Sequence, residues 1–364
     1  MTLLSSLKKL DWALWLAAIG IVLLGIAAFS DIGPRSQDFV NRQVVFIIVG
    51  TVLMVLASFF DYRILKNYSA ASVAIYAIAI ILLFITLASA EIRGVNSWII
   101  FRGLTFEPSE FAKLAVLILL AKYFSQKHVE IYRTKHILAS GFYVLIPAGL
   151  TLLQPDLGST IVFISLWIAM LLFAGIKRKH LLAIIMIGTV LTSFAWFFVF
   201  ETYQRNRIIS FIDPYLDPRG SGYNTLQSQI TFGSGQMFGT FFEEKDTHSP
   251  VLVPEPYNDF AFAAFAKRFG FAGVALLLAI FLFLIFRIGS IATRTNNNFA
   301  KLFSLGFITI IFTHFLINAG MNLGISPITG IPFSFLSYGG SHLVTLMIGL
   351  GIIQSIRIRS RIQS

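Results

Sequence analysis

The stretch "WALWLAAIGIVLLGIAAFS", residues 12 to 30, contains no charged side chain. A helix of about 20 apolar residues, rising about 1.5 Å per residue, crosses the roughly 30 Å hydrocarbon layer of a bilayer. This segment is therefore expected to span a membrane. It does not read as a cleavable leader, because no convincing cleavage site precedes Asp31 and the same texture continues downstream. Further apolar runs lie near 44 to 60, 69 to 90, 110 to 125, 137 to 153, 157 to 175, 181 to 200, 271 to 288, 302 to 322 and 342 to 356. The expected fold is an all-α polytopic membrane protein with ten transmembrane helices and a long structured extracytoplasmic loop, about 201 to 270, between the seventh and eighth.

The composition agrees. Of 364 residues, 56% are hydrophobic and 12% charged, and the mean hydropathy is +0.79, whereas soluble domains carry about 25% charge. Spans along the whole length leave no room for a separate soluble domain of more than about 60 residues, so residues 1–364 read as one integral membrane domain. The absence of cysteine excludes disulfides, thiolate nucleophiles and Cys-ligated metals. An even number of spans puts both termini on one side, and seventeen of the twenty-eight Lys and Arg fall there, among them Lys8, Lys9, Lys177, Arg178, Lys179 and Arg357. Short cytoplasmic loops hold the basic excess. Cytoplasmic N- and C-termini follow, and the net charge of +11 reflects topology rather than a nucleic-acid partner.

Polar residues in apolar surroundings point to function. Glu110 and Lys113 stand three apart at the start of the fourth span, on one helical face. Ionisable groups in a span are costly and mark sites or ordering ion pairs, and an ion pair is the preferred reading here. Asp156, in "QPDLGST", suits a helix N-cap, although its position near the outer face keeps a site role open. The segment from 201 to 258 is rich in aromatics and glycine, which argues for an ordered cap. After it, "NDFAFAAFAKRFG" reads as a short interfacial helix started by Asn258 or Asp259 and broken at Gly270. Asp259 is either that cap or a carboxylate held at the membrane face. Arg205 and Arg207, at i and i+2 on extended chain, can face the same side and suit a phosphate, and Arg219 flanks the same stretch, but taken alone these residues read first as solvated loop charge paired with Asp213 or Asp217. "GSGQMFG", 233 to 239, could wrap a phosphate, but such stretches are weak evidence. The six histidines are scattered along the chain, which argues against a multi-His metal site.

Six motifs, "EPSEFAKL" (107 to 114), "QPDLGST" (154 to 160), "RNRIISFIDPYLDPRGSGYNTLQSQI" (205 to 230), "GSGQMFG" (233 to 239), "PEPYNDFAF" (254 to 262) and "INAGMNLGISPITGIPFSFLSYGGS" (317 to 341), follow one another in order. In these the chain resembles the SEDS family of shape, elongation, division and sporulation proteins, from about residue 90 onward. The resemblance implies a ten-span fold and a peptidoglycan glycosyltransferase that polymerises lipid II at the outer face of the bacterial plasma membrane. It also implies a class B penicillin-binding protein as the transpeptidase partner. The family's essential aspartate falls on Asp259, its Glu and Lys on Glu110 and Lys113, and its "QPDLG" aspartate on Asp156, while Ser337 of the last motif is taken as a substrate-side residue.

The chain departs from the family pattern at Asn96 and Ser97, at Tyr257 and Asn258, and at "AKR", 266 to 268. The short tails lean toward the elongation-type branch. The implied reaction needs a general base, assigned to Asp259, with inversion at the anomeric carbon, and cations for the leaving diphosphate, assigned to Arg205, Arg207 and Lys113. No nucleotide or redox cofactor is required, although a divalent cation, Mg²⁺ or Mn²⁺, can share the diphosphate. Two rivals remain: a lipid II flippase with Glu110, Lys113 and Asp156 along its path, and a scaffold in which Asp259 is only a helix cap.

Overall fold

The computed structural model describes residues 9–30, 32, 36–89, 97–101, 104–127, 134–198, 200, 202–218, 220, 222–241, 253 and 255–360. Asn96 and Arg219, and Lys8 of the charge census, lie outside these. The elements run α1 (Trp12–Phe29), α2 (Ser36–Phe59), α3 (Tyr62–Asn67), α4 (Ser69–Thr86), β1 (Ile99–Phe101), β2 (Leu104–Phe106), α5 (Pro108–Lys127), α6 (Thr134–Leu153), α7 (Leu157–Phe173), α8 (Arg178–Phe198), α9 (Thr202–Ile212), a 3₁₀ turn (Pro214–Leu216), α10 (Tyr223–Gly233), α11 (Ala261–Arg294), α12 (Asn298–Leu323) and α13 (Gly340–Ser360).

Among the described residues, eight helices are long and apolar enough to cross a membrane: α1, α2, α4, α6, α8, α11, α12 and α13. The other two of the expected ten are α7, apolar but only 17 residues long, and α5, whose 20 residues include Glu110, Lys113, Lys122 and Lys127. α5 is buried on nearly every side, the pattern of a central helix. α8 has no buried residue at all. It presents Leu182, Met186, Val190 and Phe197 outward, as a helix bathed in lipid would.

The start of α1 and the end of α13 lie at one end of the bundle. Asp11, 3% exposed, pairs there with Arg287 at 2.7 Å and Arg357 at 3.2 Å, and the Gln354 side chain bonds both the amide and the carbonyl of Asp11. These contacts join the start of α1 to the ends of α11 and α13. Close approach between α2 and α13 depends on small residues: a Cβ on Gly351 would meet Met54 O at 2.5 Å.

At the opposite end the structure departs from the sequence reading in one place. A hairpin, β1 with β2, precedes α5, where no strand was expected. The expected interfacial helix is present. It forms the first turns of α11 and is broken at Gly270, whose φ of 63° and ψ of −167° belong to a region open essentially to glycine alone. The expected cap is present as α9, the 3₁₀ turn and α10, with α10 packed on α11 and α12. "GSGQMFG" lies backbone to backbone against the Gly270 break: Phe271 N–H bonds Gln236 O at 2.9 Å and Thr240 N–H bonds Lys267 O at 3.1 Å. A Cβ on Gly235 or Gly239 would strike Ala266 O or Arg268 O, so these glycines serve close packing rather than a phosphate wrap.

Candidate active site

The segment between α12 and α13 has no regular structure, yet Phe333, Ser334, Phe335 and Leu336 are buried. Irregular backbone is tolerated in such a bundle only where protein supplies its hydrogen bonds. Here α12 supplies them. His314 Nδ1 donates to Pro332 O at 3.1 Å and Asn318 Nδ2 to Ile331 O at 2.8 Å. Phe335 is held at φ 67°, a strained left-handed conformation for a phenylalanine.

This segment and α12 together fix the turn before α11. Three consecutive carbonyls are held: Tyr257 O by Tyr338 N–H at 2.8 Å, Asn258 O by Ser337 Oγ at 2.8 Å, and Asp259 O by the side-chain amides of Asn318 and Asn322, each at 3.0 Å. The Tyr257 ring stacks on Phe39 at 4.1 Å and meets Phe29 edge-on at 5.9 Å, which ties the turn to α2 and α1. Asp259 is half-buried. Its Oδ2 lies beside Gly330, 3.7 Å from where a Cβ would stand. The capping role considered for it falls elsewhere: the N-cap residue of α11 is Phe260, without a side-chain cap bond, and the Ala263 N–H goes to Asn322 Oδ1 at 2.9 Å.

A second polar group lies inside the bundle. Lys113 Nζ donates to Glu110 Oε1 at 2.8 Å, so the expected ion pair forms. Glu110 Oε2 accepts from His342 Nδ1 at 2.8 Å. Because the His314 Nδ1 proton is committed to Pro332 O, its Nε2 accepts from Lys113 Nζ at 3.3 Å. The two imidazoles stack at 4.6 Å. The expectation of scattered histidines thus fails for these two, which separate helices bring together. Donor atoms of Glu110, His314 and His342 all lie within 4.8 Å of one another. The Lys113 ammonium already provides the cation there, so no metal role follows.

Asp156 caps α7 by accepting from Ser159 N–H at 2.9 Å, as its sequence context suggested. Burial raises its pKa, and Lys113 partly opposes the shift. Glu107, just ahead of α5, accepts from Ser109 Oγ at 2.8 Å. Its pKa is pushed up to about 8 by burial and then by the neighbouring Glu110 carboxylate. Ser337 uses its hydroxyl on backbone, donating to Asn258 O and accepting from Phe333 N–H. Arg205 and Arg207 lie on α9, a helix rather than extended chain. Residues two apart on a helix point about 200° apart, so the two guanidinium groups do not form the single clamp expected. Arg205 Nη2 bonds Phe197 O at 3.3 Å at the end of α8.

A polytopic helical bundle with a half-buried aspartate whose backbone is clamped at one end defines an integral membrane protein with a candidate site at that end. Residues 8–362 match the family described as cell cycle protein, FTSW_RODA_SPOVE, and the chain belongs to that family. The peptidoglycan glycosyltransferase MrdB of Escherichia coli is 31% identical over 350 residues, covering 94% of both chains. Stage V sporulation protein E of Bacillus subtilis is 30% identical, covering 96% of this chain and 95% of that one. Among solved structures, a chain of a peptidoglycan synthase complex that coordinates polymerization and crosslinking superposes with a TM-score of 0.84 at 29% identity, covering 98% of this chain and 99% of that one. The rod shape determining protein RodA of Thermus thermophilus superposes with a TM-score of 0.73 at 27% identity and 98% coverage of each.

Proposed function

We propose that this chain is a peptidoglycan glycosyltransferase that polymerises lipid II at the outer face of the bacterial plasma membrane, with both termini cytoplasmic. The carrying observation is the Asp259 turn, whose backbone is clamped by α12 and by the segment before α13. Asp259 acts as general base on the 4-hydroxyl of the acceptor sugar. That hydroxyl attacks the anomeric carbon of the donor with inversion, and polyprenyl diphosphate leaves. A positioned base is worth about 10² to 10⁴ in rate. The leaving diphosphate falls to Arg207 alone, since Arg205 is turned away from it on α9 and Lys113 is enclosed by Glu110 and His314. A small cleft lined by Val22, Ile26, Phe29, Phe39, Val40, Gln43, Leu336 and Tyr338 lies beside the Phe39 ring that stacks on Tyr257. A class B penicillin-binding protein supplies the crosslinking partner, as the likeness to a chain of a synthase complex supports.

The test is polymerisation of labelled lipid II by the purified protein with its transpeptidase partner chemically blocked, run beside a lipid-flipping assay in vesicles. Glycan polymer without dependence on flipping supports the reading, and flipping without polymer replaces it with the transporter. Chelation tests the cation: activity lost and restored by Mg²⁺ or Mn²⁺ places a hard cation on the carboxylate and diphosphate oxygens, and unchanged activity removes it from the mechanism.

A further inference from the structure

A cavity of about 200 Å³ lies between α2, α3, α4, α5 and α13, with wholly apolar walls, and shares no residue with the Asp259 turn. α2 packs on α13 and α4 on α5, but α2 and α4 do not pack on one another. The cavity therefore opens sideways between them, where Phe60 is 44% exposed. Phe60 borders Asp61, which Arg359 holds at 3.1 Å, so this wall stands at the Asp11 end of the bundle. An apolar cavity of about 150 Å³ lined by Leu, Ile and Phe stays dry and takes up apolar molecules. In a bilayer the apolar molecule at hand is a hydrocarbon chain.

On α5 the cavity is faced by Phe111, Leu114, Ala115 and Ile118, spaced as one helical face. The next residue on that face, four after Ile118, is Lys122. It is 4% exposed, and among the described residues its Nζ has no hydrogen-bond partner. A buried ammonium without a counter-charge is costly. Its place one turn beyond an apolar cavity matches an amphiphile with an anionic head. α3, which supplies Leu65 to the cavity wall, carries Arg63 and Lys66 on either side of it, and Asp61 of the same segment is already engaged by Arg359.

We propose that this is a lipid site whose occupant is one anionic glycerophospholipid: an acyl chain enters the cavity between α2 and α4, and the phosphate lies against Lys122, with Arg63 and Lys66 at the rim. Basic pockets between spans on the cytoplasmic side hold anionic headgroups in this way. The cavity is too small for a disaccharide-peptide, and its charged end is the end of the bundle opposite Asp259, so the glycosyl substrate is not its occupant. The orientation proposed above assigns the lipid to the cytoplasmic leaflet, whereas the binding itself does not depend on the glycosyltransferase reading.

The experiment measures lipid retained by the delipidated full-length protein in native mass spectrometry, titrating phosphatidylglycerol, phosphatidylcholine of the same chains and undecaprenyl phosphate. Wild type should hold one phosphatidylglycerol more tightly than phosphatidylcholine. Lys122→Gln should weaken phosphatidylglycerol by about fivefold, the worth of one basic residue near an anionic headgroup, and leave phosphatidylcholine little changed. Ala57→Leu, which fills part of the cavity, should weaken both lipids together. Equal phosphatidylglycerol affinity in wild type and a folded Lys122→Gln protein would overturn the proposal. So would a preference for undecaprenyl phosphate, which would make the cavity a carrier-lipid site. A second measurement needs no variant: phosphatidylglycerol with a photoreactive acyl chain should crosslink to α2, α4 and α5 of the wild-type protein, and labelling confined to the lipid-bathed α8 would contradict the site. Neither readout requires turnover, so failure here leaves the glycosyltransferase reading standing, and failure of that reading leaves this site standing.

Discussion

At the Glu110 cluster, side chains meet side chains: the carboxylate is matched by Lys113 and His342, and Lys113 by His314, all within the bundle. At the Asp259 turn the bundle instead holds backbone, gripping the carbonyls of residues 257, 258 and 259 in succession. The difference separates order from chemistry. Charges bonded to one another in a dry interior are restrained and hidden from a substrate. A residue fixed through its own main chain is equally restrained, here by bonds to its carbonyl. Holding a residue by its backbone is one way a fold can preorganise a site.

The comparison can be broken most severely at its buried pole. Glu110→Ala should cost about 3–5 kcal/mol of stability, because it strands Lys113 without its counter-charge. Thermal unfolding of the detergent-purified protein should register this as a large fall in Tm. Replacing Glu110 and Lys113 together by apolar residues of similar volume should recover most of that loss. Failure to recover would mean that the pair contributes more than mutual neutralisation.

At the outer pole, Gly270→Ala should destabilise by about 1–3 kcal/mol from backbone conformation alone. The added Cβ would also strike the Met237 and Phe238 backbone, so the measured loss should exceed that range. Unchanged Tm would show that the α11 break is not held at this geometry. Ser337→Ala is smaller. It removes the hydroxyl between Asn258 O and Phe333 N–H, at about 1 kcal/mol for such a bond, and should lower kcat more than it lowers Tm because the turn it releases carries Asp259.

The smallest effect is a slope. Glu107 has its folded pKa raised from 4.5 to about 8, so the folded state binds the proton more tightly than the unfolded state. Its contribution to stability is fully present below pH 4.5 and is lost as pH rises through about 8. Glu107→Gln should flatten this dependence, raising Tm relative to wild type at pH 8 to 9 and leaving the two alike near pH 4.5. Parallel curves would place Glu107 outside the buried electrostatic group.

Eight of the expected spans were legible because hydrocarbon thickness imposes a length that composition alone reveals. Asp156 as a cap and Glu110 with Lys113 as a pair were legible because partners three residues apart meet within one helix or at its start. Gly270 was legible as a break because its chemistry is local. The β1 and β2 hairpin was not, since three-residue strands carry no usable alternation. Nor was the meeting of His314 with His342, or the capping of α11 by Asn322, because each joins residues that only the tertiary packing brings together. The available signal was His314, Asn318 and Asn322 at i, i+4 and i+8 in an otherwise apolar span, a polar stripe on one helical face. Arg205 and Arg207 were misread because the loop that holds them is helical, which turns the pair apart.

The most direct measurement is the rate of glycan polymerisation from labelled lipid II by Asp259→Asn, alongside its melting temperature and its binding to the transpeptidase partner. A fall of about 10² to 10⁴ in rate, the value of a positioned general base, with melting and partner binding unchanged is the predicted result. Polymerisation at the wild-type rate by a folded, partner-bound Asp259→Asn protein would contradict it.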